Sequence, residues 1–289
     1  MENLHFTFLT EKNIPKLHAT FLEAFSDYLV PIQLDTNQFR SKLKREGVEL
    51  SFSAAAYSGD LMVGFILTGL GEWEGKPTAY NAGTGVIPTY RGNRITEQLY
   101  TFMQPKFKEA GIEQCLLEVI TENAAAIKIY KRLGFSITRT FDCFRSLKKE
   151  LLVQSKTPYA ISFKTVLKPD WKSYGCFGDV KPGWQNTSWA ITRSPNKKTI
   201  IEAYDEHQDL IGYTVFFPDN GAIAQLAVDS NARCKGIGTA LLRQVCEHTD
   251  HKALMLLNID TKAEQMLMFL ERKHFSKVLS QYEMLLPLV

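Results

Sequence analysis

Apolar and polar positions along the chain recur with period two over short runs and with a helical period over longer runs. In the first half, the short runs predict strands at residues 5–9, 51–57, 61–70, 80–86, 115–120 and 135–147. The longer runs predict helices at residues 11–25, 36–46, 93–109 and 123–133. Pro105 falls inside the third helix and is expected to kink it, and Gly111 is expected to end it.

The second half repeats this order of elements. Its predicted strands are residues 160–165, 200–204, 210–217, 222–228, 254–259 and 282–288. Its predicted helices are residues 235–248 and 263–273. Residues 168–190 contain Gly, Pro and Trp without a regular pattern, so we expect irregular structure there.

A short motif occurs twice at a fixed distance. Val86 and Arg91 are five residues apart, as are Val228 and Arg233, and the second pair lies 142 positions after the first. Each copy follows a predicted strand and precedes a predicted helix. Such internal repetition predicts two related domains in tandem, which we place at residues 1–150 and 158–289 with a joint near residues 147–158.

Composition supports this division and excludes several classes of protein. A chain of 289 residues suggests about two domains. The formal charge is only +3 and no dense basic run occurs, so we expect no nucleic-acid partner. The longest apolar stretch, residues 61–70, is too short to cross a bilayer, and we expect no membrane partner. The five cysteines form no CxxC pair and no secretory signal opens the chain, so we expect a cytoplasmic protein.

The second copy of the motif continues as Arg233-Cys234-Lys235-Gly236-Ile237-Gly238, between a predicted strand and a predicted helix. Backbone N–H groups at a helix N-terminus lack intrahelical partners and favour an anion. Gly236 and Gly238 carry no Cβ, so the backbone can approach a pyrophosphate closely. A plain strand-to-helix turn remains the alternative for this motif taken alone.

The context in the first half adds a second motif. Val86-Ile87-Pro88-Thr89-Tyr90-Arg91-Gly92 is followed downstream by Asn123, Tyr130 and the pair Gly134-Phe135. Together these residues resemble the GNAT superfamily of acyl-CoA-dependent N-acetyltransferases. The resemblance covers residues 50–140 and, more weakly, residues 200–280.

The resemblance implies an α/β fold, mixed in the α+β sense. Each half would be a twisted, mostly antiparallel mixed sheet with helices on both faces and a splayed central cleft for acetyl-CoA. The pyrophosphate would lie on the Arg/Gly loop, the pantetheine along the strand before it, and Asn123 beside the pantetheine. The cofactor-binding positions implied are Val86, Ile87, Arg91, Gly92, Asn93, Arg94, Ile95, Thr96 and Asn123, and Val228, Arg233, Cys234, Lys235, Gly236, Ile237 and Gly238.

The expected reaction is acetyl transfer from acetyl-CoA to an amine, and the acceptor is either a small molecule or a peptide amine. A neutral amine attacks the thioester, and a phenol can donate a proton to the departing thiolate. By resemblance, Tyr130 faces the sulfur and is the candidate general acid; a packing role is the alternative. Glu118, on a strand lining the cleft, is the candidate general base, with a structural pairing as the alternative. Glu72, Glu74 and Glu122 could instead act through water.

The two halves have diverged in opposite ways. Arg94 and Thr96 stand where the family usually has small residues, which puts the first cofactor loop in doubt. In the second half, aligning Phe275 with Phe135 places Leu270 at the position of Tyr130 and Ala263 at that of Asn123. We therefore expect the first half to be catalytic and the second to bind acyl-CoA without catalysis or to act structurally. A tandem module that only senses acyl-CoA is the rival hypothesis.

Two further clusters carry weaker signals. Cys246, His248 and His251 are close in sequence, but a zinc site needs a fourth ligand, and we expect no metal. Aromatic residues concentrate between residues 171 and 189, where family members place acceptor-binding helices, so either a core or a pocket is expected there. Phe21, Phe25, Tyr28 and the region of Pro31 occupy the same place in the first half.

Overall fold

The computed structural model describes residues 4–29, 32–154 and 161–288. The chain divides into two compact units. The first unit consists of Met1–Thr138, Thr192–Pro195 and Tyr282–Val289, and the second of Arg139–Ile191 and Asn196–Gln281. The ranges 1–150 and 158–289 differ from these units mainly at the last strand of each repeat, because that strand belongs to the other unit by packing. Sequence periodicity detects the repeat but not this exchange, so the predicted ranges stay a prediction.

The strands and helices of the first unit follow the order predicted from the pattern. Its strands are β1 Leu4–Phe8, β2 Ala54–Ser58, β3 Leu61–Trp73, β4 Lys76–Val86 and β5 Gln114–Ile120. Its helices are α1 Ile14–Ala24, α2 Thr36–Glu46, α3 Ile95–Glu109 and α4 Ala124–Arg132. Pro105 lies inside α3 without ending it, and Gly111 adopts φ +70° just past its end.

The second unit repeats the pattern. Its strands are β6 Ser136–Leu147 from Arg139 on, β7 Ser162–Val166, β8 Thr199–Tyr204, β9 Leu210–Phe217, β10 Ala222–Val228 and β11 Ala253–Asp260. Its helices are α5 Trp171–Tyr174, α6 Ser188–Arg193 up to Ile191, α7 Ile237–Glu247 and α8 Glu264–Arg272. The last strand, β12, spans Ser276–Pro287 and belongs to the first unit from Tyr282 on.

Three expectations about local structure need correction or fall outside the description. Residues 168–190 are not wholly irregular, because they contain α5 and the start of α6. Asp170 caps α5 by accepting the backbone N–H of Ser173. A helix of four residues is too short to show a helical period in the sequence. The predicted strand 160–165 is shifted to β7, and Ala160 lies outside the described residues, as do residues 155–158 of the predicted joint.

Both sheets are mostly antiparallel, with one parallel pair at the centre of each. The strand order is β1-β2-β3-β4-β5-β12 in the first unit and β6-β11-β10-β9-β8-β7 in the second. β4 pairs with β5 only over Thr78–Tyr80, and β10 pairs with β11 only at Ala222 and Met255. Beyond these points the parallel strands separate, so the predicted splayed cleft is present in both units.

Helices cover both faces of each sheet. In the first unit a Cβ added at Gly64 would lie 3.0 Å from Ile95 of α3, while the neighbouring Phe65 ring packs 5.9 Å from Phe21 of α1. Successive residues of a strand point to opposite faces, so α1 and α3 lie on opposite sides. The second unit does the same at Gly212, which faces Leu241 of α7. Burying an aromatic side chain of this kind contributes about 2–3 kcal/mol to stability.

Candidate functional site

The Arg/Gly loop has the same backbone in both units, with glycine at different places. In the first loop Gly92 and Arg94 have φ +83° and +55°. In the second loop the equivalent residues, Cys234 and Gly236, have φ +61° and +85°. Loops with left-handed residues often turn backbone N–H groups toward a bound anion. Each loop leads into a helix, α3 or α7, whose first N–H groups lack intrahelical partners.

The arginine of each loop fixes the loop to the rest of its unit. Arg91 donates from Nε to the carbonyl of Val86 at 3.2 Å and from Nη2 to the carbonyl of Ala24 at 3.0 Å. Its Nη1 and Nη2 also bind the two carboxylate oxygens of Asp27, at 2.6 and 2.7 Å. The guanidinium therefore joins the end of β4 to the segment after α1.

Arg233 makes the equivalent contacts in the second unit. It donates from Nε to the carbonyl of Val228 at 3.0 Å and from Nη2 to that of Phe177 at 3.0 Å. Its Nη1 binds Asp179 at 2.7 Å and also Gln265 of α8 at 2.9 Å. The family resemblance implies that Arg233 is one of the cofactor-binding residues. The geometry gives it a positioning role, and cofactor binding by either arginine stays a prediction.

A cavity of about 990 Å³ opens in the second unit. Its volume lies at the upper end of the range for ligand sites. The loop, the start of α7 and aromatic residues of the 171–189 segment all line it. The lining residues that matter most are Trp171, Tyr174, Trp189, Tyr213, Ala224, Gln225, Val228, Arg233, Cys234, Gly236, Ile237, Gly238, Asp260, Ala263 and Phe269.

The aromatic residues between 171 and 189 were expected to form either a core or a pocket wall, and they form both. Trp171, Tyr174 and Trp189 line the cavity, whereas Trp184 is fully buried and packs edge-on against Trp189 with centroids 4.3 Å apart. The segment supplies both a pocket wall and a core.

The glycines of the second loop fit a closely approaching ligand. A Cβ at Gly238 would lie 3.3 Å from the ring of Phe269, so a side chain there would fill the space between α7 and α8. Gly236 has φ +85°, a conformation that side chains disfavour. Lys235 donates from Nζ to the carbonyl of Asn231 at 3.0 Å, so its ammonium is held at the loop.

In the first unit, Asn123 contacts the side chain of Tyr28. Burial raises the pKa of the Tyr28 phenol, and hydrogen bonding with Asn123 opposes this rise. Asn123 also caps α4, its Oδ1 accepting the N–H of Ala126 at 3.1 Å. The side chain that the resemblance implies beside a pantetheine is thus engaged by Tyr28, a contact that no sequence motif signals.

Tyr130 lies in a buried polar cluster. Burial raises the pKa of its phenol, while hydrogen bonding with Thr84 and Asn81 lowers it. Asn81 donates from Nδ2 to Thr84 at 2.7 Å and to the hydroxyl of Tyr100 at 2.9 Å. Its Oδ1 accepts the backbone N–H of Gly83 at 3.0 Å. The Tyr130 side chain is 8% exposed, and its role as general acid stays a prediction.

The other predicted residues of the first unit are dispersed. Glu118 accepts a hydrogen bond from the hydroxyl of Tyr80 at 2.9 Å, a partner that sequence reasoning missed. Glu122 accepts from Thr121 at 2.9 Å. In the loop, Arg91, Gly92, Asn93 and Arg94 are exposed, whereas Ile87, Ile95 and Thr96 are buried.

Each central strand carries a β-bulge at an equivalent position. The pairing register shifts at Ala82 in β4 and at Ala224 in β10, which are 142 positions apart like the loops. A bulge leaves one residue outside the ladder and can aim its N–H group into a cleft. In the first unit, the side chain of Asn81 accepts a hydrogen bond from the backbone N–H of Gly83, the residue after the bulge. In the second unit, Ala224 lines the cavity.

The terminal motif of the second half keeps the backbone of the first but not its functional groups. His274 adopts φ +63°, as Gly134 adopts φ +98°. Ala263 precedes α8 where Asn123 precedes α4, and Leu270 is buried at the position of Tyr130. The alignment made from the sequence is thus consistent with the backbone.

No metal site is evident in the described part of the chain, where no three His, Cys, Asp or Glu side chains are grouped to hold an ion. His248 and His251 instead contact the carbonyls of Gln244 and Ala253, at 2.9 and 2.7 Å. Among the described helices, none has both the length and the apolar character needed to cross a bilayer.

The family assignment follows from this repeated architecture. The sequence profile of the Acetyltransferase (GNAT) family matches residues 14–135 and, a second time, residues 164–275. The chain therefore belongs to the GNAT family and contains two copies of its domain, as the sequence predicted. The family comprises acyl-CoA-dependent N-acetyltransferases, and acetyl-CoA is its general acetyl donor.

Individual relatives agree with this assignment. N-alpha-acetyltransferase MAK3 of Arabidopsis thaliana is 36% identical over 73 residues, which are 25% of this chain and 38% of the relative. A tandem GNAT protein from the clavulanic acid biosynthesis pathway has a TM-score of 0.77 at 14% identity, covering 99% of both chains. A GCN5-related N-acetyltransferase from Sphaerobacter thermophilus has a TM-score of 0.71 at 12% identity, covering 99% of this chain and 96% of the other. At these identities the likeness to the two structures is one of fold.

Proposed function

We propose that the protein is an acetyl-CoA-dependent N-acetyltransferase that binds its cofactor in the second unit. The observation that carries this proposal is the 990 Å³ cavity, which is lined by the glycine-bearing loop Arg233–Gly238 and by the end of β10. In the first unit Tyr28 contacts Asn123, and Asn81 accepts the backbone N–H of Gly83 beside the bulge. This assignment reverses our sequence-based expectation that the first unit is catalytic.

Each part of the cavity has a role in the proposal. The N–H groups at the start of α7 face a pyrophosphate, and Arg233 holds that loop against α8 through Gln265. Acetyl-CoA, when bound, supplies a thioester whose carbonyl carbon a neutral amine can attack. The bulge at Ala224 offers a backbone N–H to polarise the carbonyl. The amine enters from the aromatic end formed by Trp171, Tyr174 and Trp189.

Leu270 carries no hydroxyl, so in this unit the departing thiolate takes its proton from water or from the attacking amine. This same observation favours the rival function, a module that binds acyl-CoA without turning it over. The two are separated by mixing the full chain with acetyl-CoA and a panel of primary amines and measuring free thiol. Tight binding without thiol release across the panel would favour the binding module.

The location of the cofactor is tested by calorimetric titration with acetyl-CoA. Gly236→Glu places an anionic side chain where the pyrophosphate is proposed to bind, and we expect it to abolish binding. Arg94→Glu is the matched control, because Arg94 is the equivalent residue of the first loop and also has positive φ. We expect Arg94→Glu to leave the Kd within about twofold. Loss of binding in Arg94→Glu with normal binding in Gly236→Glu would locate the cofactor in the first unit instead.

A further inference from the structure

A hydrogen-bonded polar group borders the acceptor end of the cavity in the second unit. The hydroxyl of Tyr174 donates to Glu202 Oε1 at 2.5 Å, and that of Tyr204 donates to Glu202 Oε2 at 2.6 Å. Tyr174 lines the cavity and stacks on Tyr213 with ring centroids 3.9 Å apart. Tyr213 in turn donates to Gln225 Oε1 at 2.7 Å. The group therefore extends from β8 across β9 to β10.

The first unit has apolar residues at three of the equivalent positions, whereas Tyr57 corresponds to Tyr204. Gly64 pairs with Val86 as Gly212 pairs with Val228, so Phe65 corresponds to Tyr213. The strand partners of these two residues are Ala55 and Glu202.

Tyr174, the helix residue of the group, corresponds to Phe21 in the first unit. Phe21 lies three residues before Ala24, whose carbonyl accepts from Arg91, and Tyr174 lies three before Phe177, whose carbonyl accepts from Arg233. The same scaffold thus has Phe, Ala and Phe in the first unit, and Tyr, Glu and Tyr in the second. The fold does not require a carboxylate at this place.

Glu202 is a buried carboxylate whose cross-strand neighbour is Lys164, and the Lys164 ammonium lies over the ring of Tyr204 at 4.1 Å from its centroid rather than in an ion pair with Glu202. Glu202 is only 5% exposed to solvent. No Lys, Arg or His nitrogen of the described residues lies within 4.0 Å of its oxygens; its partners are the two phenols. Burying a charge is costly unless an opposite charge compensates it. The indoles of Trp171 and Trp189, which also line this end, add aromatic surface suited to a cation.

The Glu202 carboxylate lies some way across the sheet from the proposed point of acetyl transfer. Glu202 lies on β8, and the bulge at Ala224 lies on β10, two strands away. Neighbouring strands are about 4.8 Å apart, so the two places are about 10 Å apart or more. A cation near Glu202 is therefore not the nitrogen that attacks at the bulge.

Resting on the proposed function, we propose that the acceptor is an alkyl diamine or a similar compound with two amino groups. One group stays protonated and is held at the Tyr174–Glu202 pair, and the other reacts as the neutral amine. Glu202 acts as a specificity residue through the hydroxyl of Tyr174. Acceptors with one amino group lack the second cation that the Tyr174–Glu202 pair is proposed to hold, and amino acids with a carboxylate in place of the second amine are repelled.

The test is calorimetric binding of hexamethylenediamine, hexylamine and aminohexanoate to the full chain. We expect the diamine to bind at least tenfold more tightly than either of the others. Glu202→Gln keeps the shape and removes the charge, and should weaken diamine binding about tenfold while changing hexylamine binding less than twofold. Glu206→Gln, an exposed carboxylate on the following turn, is the matched control and should change neither.

Equal affinity for the diamine and hexylamine in the wild type would overturn the inference. So would an equal loss for both ligands in Glu202→Gln, since that result indicates a structural role. If Glu202→Gln fails to fold, Tyr174→Phe keeps the ring, removes the hydroxyl that contacts Glu202, and should show the same selective loss. Diamine binding that depends on Glu202 in a chain that does not bind acetyl-CoA would refute the proposed function and the acceptor role, and would leave only the diamine site itself.

Discussion

Arg91 and Asp27 are joined by two parallel hydrogen bonds in the first unit, Nη1 to Oδ2 at 2.6 Å and Nη2 to Oδ1 at 2.7 Å. The hydrogen bond from Arg91 lowers the pKa of the Asp27 carboxyl, and the arginine's charge lowers it further. A carboxyl whose folded pKa lies below its unfolded value of about 3.9 stabilises the fold above that value. The contribution disappears as the pH falls through the folded pKa.

This pair predicts a pH-dependent difference between the wild type and Asp27→Asn. At pH 7 the variant should be less stable, and the difference should shrink steadily below about pH 4. Urea unfolding of both proteins at a series of pH values measures it. A difference in stability that is the same at pH 7 and pH 3 would show that the ion pair is not its cause.

Tyr130→Phe separates the two assignments of the catalytic unit. Because the hydroxyl contacts Thr84 and Asn81 in a buried cluster, its removal should cost about 1–2 kcal/mol of stability. Turnover should stay within about twofold if acetyl transfer takes place in the second unit. Thiol release and urea unfolding of the same preparations provide both readouts. A tenfold loss of turnover with acetyl-CoA binding intact would restore Tyr130 as the general acid.

Arg233→Lys should weaken acetyl-CoA binding roughly tenfold, equivalent to about 1.4 kcal/mol. Lysine offers one ammonium on a flexible stem and cannot reach the carbonyls of Val228 and Phe177 together with Asp179. The loop would then lose its fixed position. Arg91→Lys makes the same change in the first unit and should leave the Kd within about twofold. Equal effects of the two substitutions would contradict the assignment to the second unit.

Substitutions at the equivalent loop positions Arg94 and Gly236 should change stability in opposite directions. Both residues have positive φ, where a side chain costs about 1 kcal/mol and glycine is unstrained. Arg94→Gly should therefore be neutral or stabilising by up to about 1 kcal/mol, and Gly236→Ala should destabilise by about 1 kcal/mol. Thermal or urea unfolding of the two variants measures this, and destabilisation by both would mean that their side-chain contacts outweigh backbone strain.

The pattern of apolar residues predicted the helices and strands well where their formation depends on residues close in sequence. The amphipathic pattern of residues 93–109 matches α3, and the alternating apolar runs match β3 and β9 to within a few residues. The match failed at α5, whose four residues are too few for periodicity to reveal. Pro105 did not end α3, because packing of the helix against β2, β3 and β4 offsets the lost hydrogen bond.

The sequence predicted only part of the candidate site. Spacing alone paired Arg91 with Arg233 and Tyr130 with Leu270, and the structure gives both pairs equivalent backbone positions. It could not show that Tyr28 engages Asn123, because those residues are distant in sequence and neither belongs to a motif. Likewise, Glu202 and Tyr174 carry no sequence signal, since they meet only through a strand and a helix on one face of the sheet.

The sequence by itself determined that the protein is a tandem repeat of one acetyltransferase fold, because hydrophobic period and loop spacing are local properties repeated at a fixed offset. Only the tertiary structure showed that the loop of the second unit borders a cavity of about 990 Å³. That outcome depends on side chains from α1, α5 and the segments after them, which fold over the two clefts differently. Tyr28 engages Asn123 in the first unit, while the short helix at Trp171–Tyr174 borders an open cavity in the second. Such differences arise from packing between distant segments, which a linear pattern does not record.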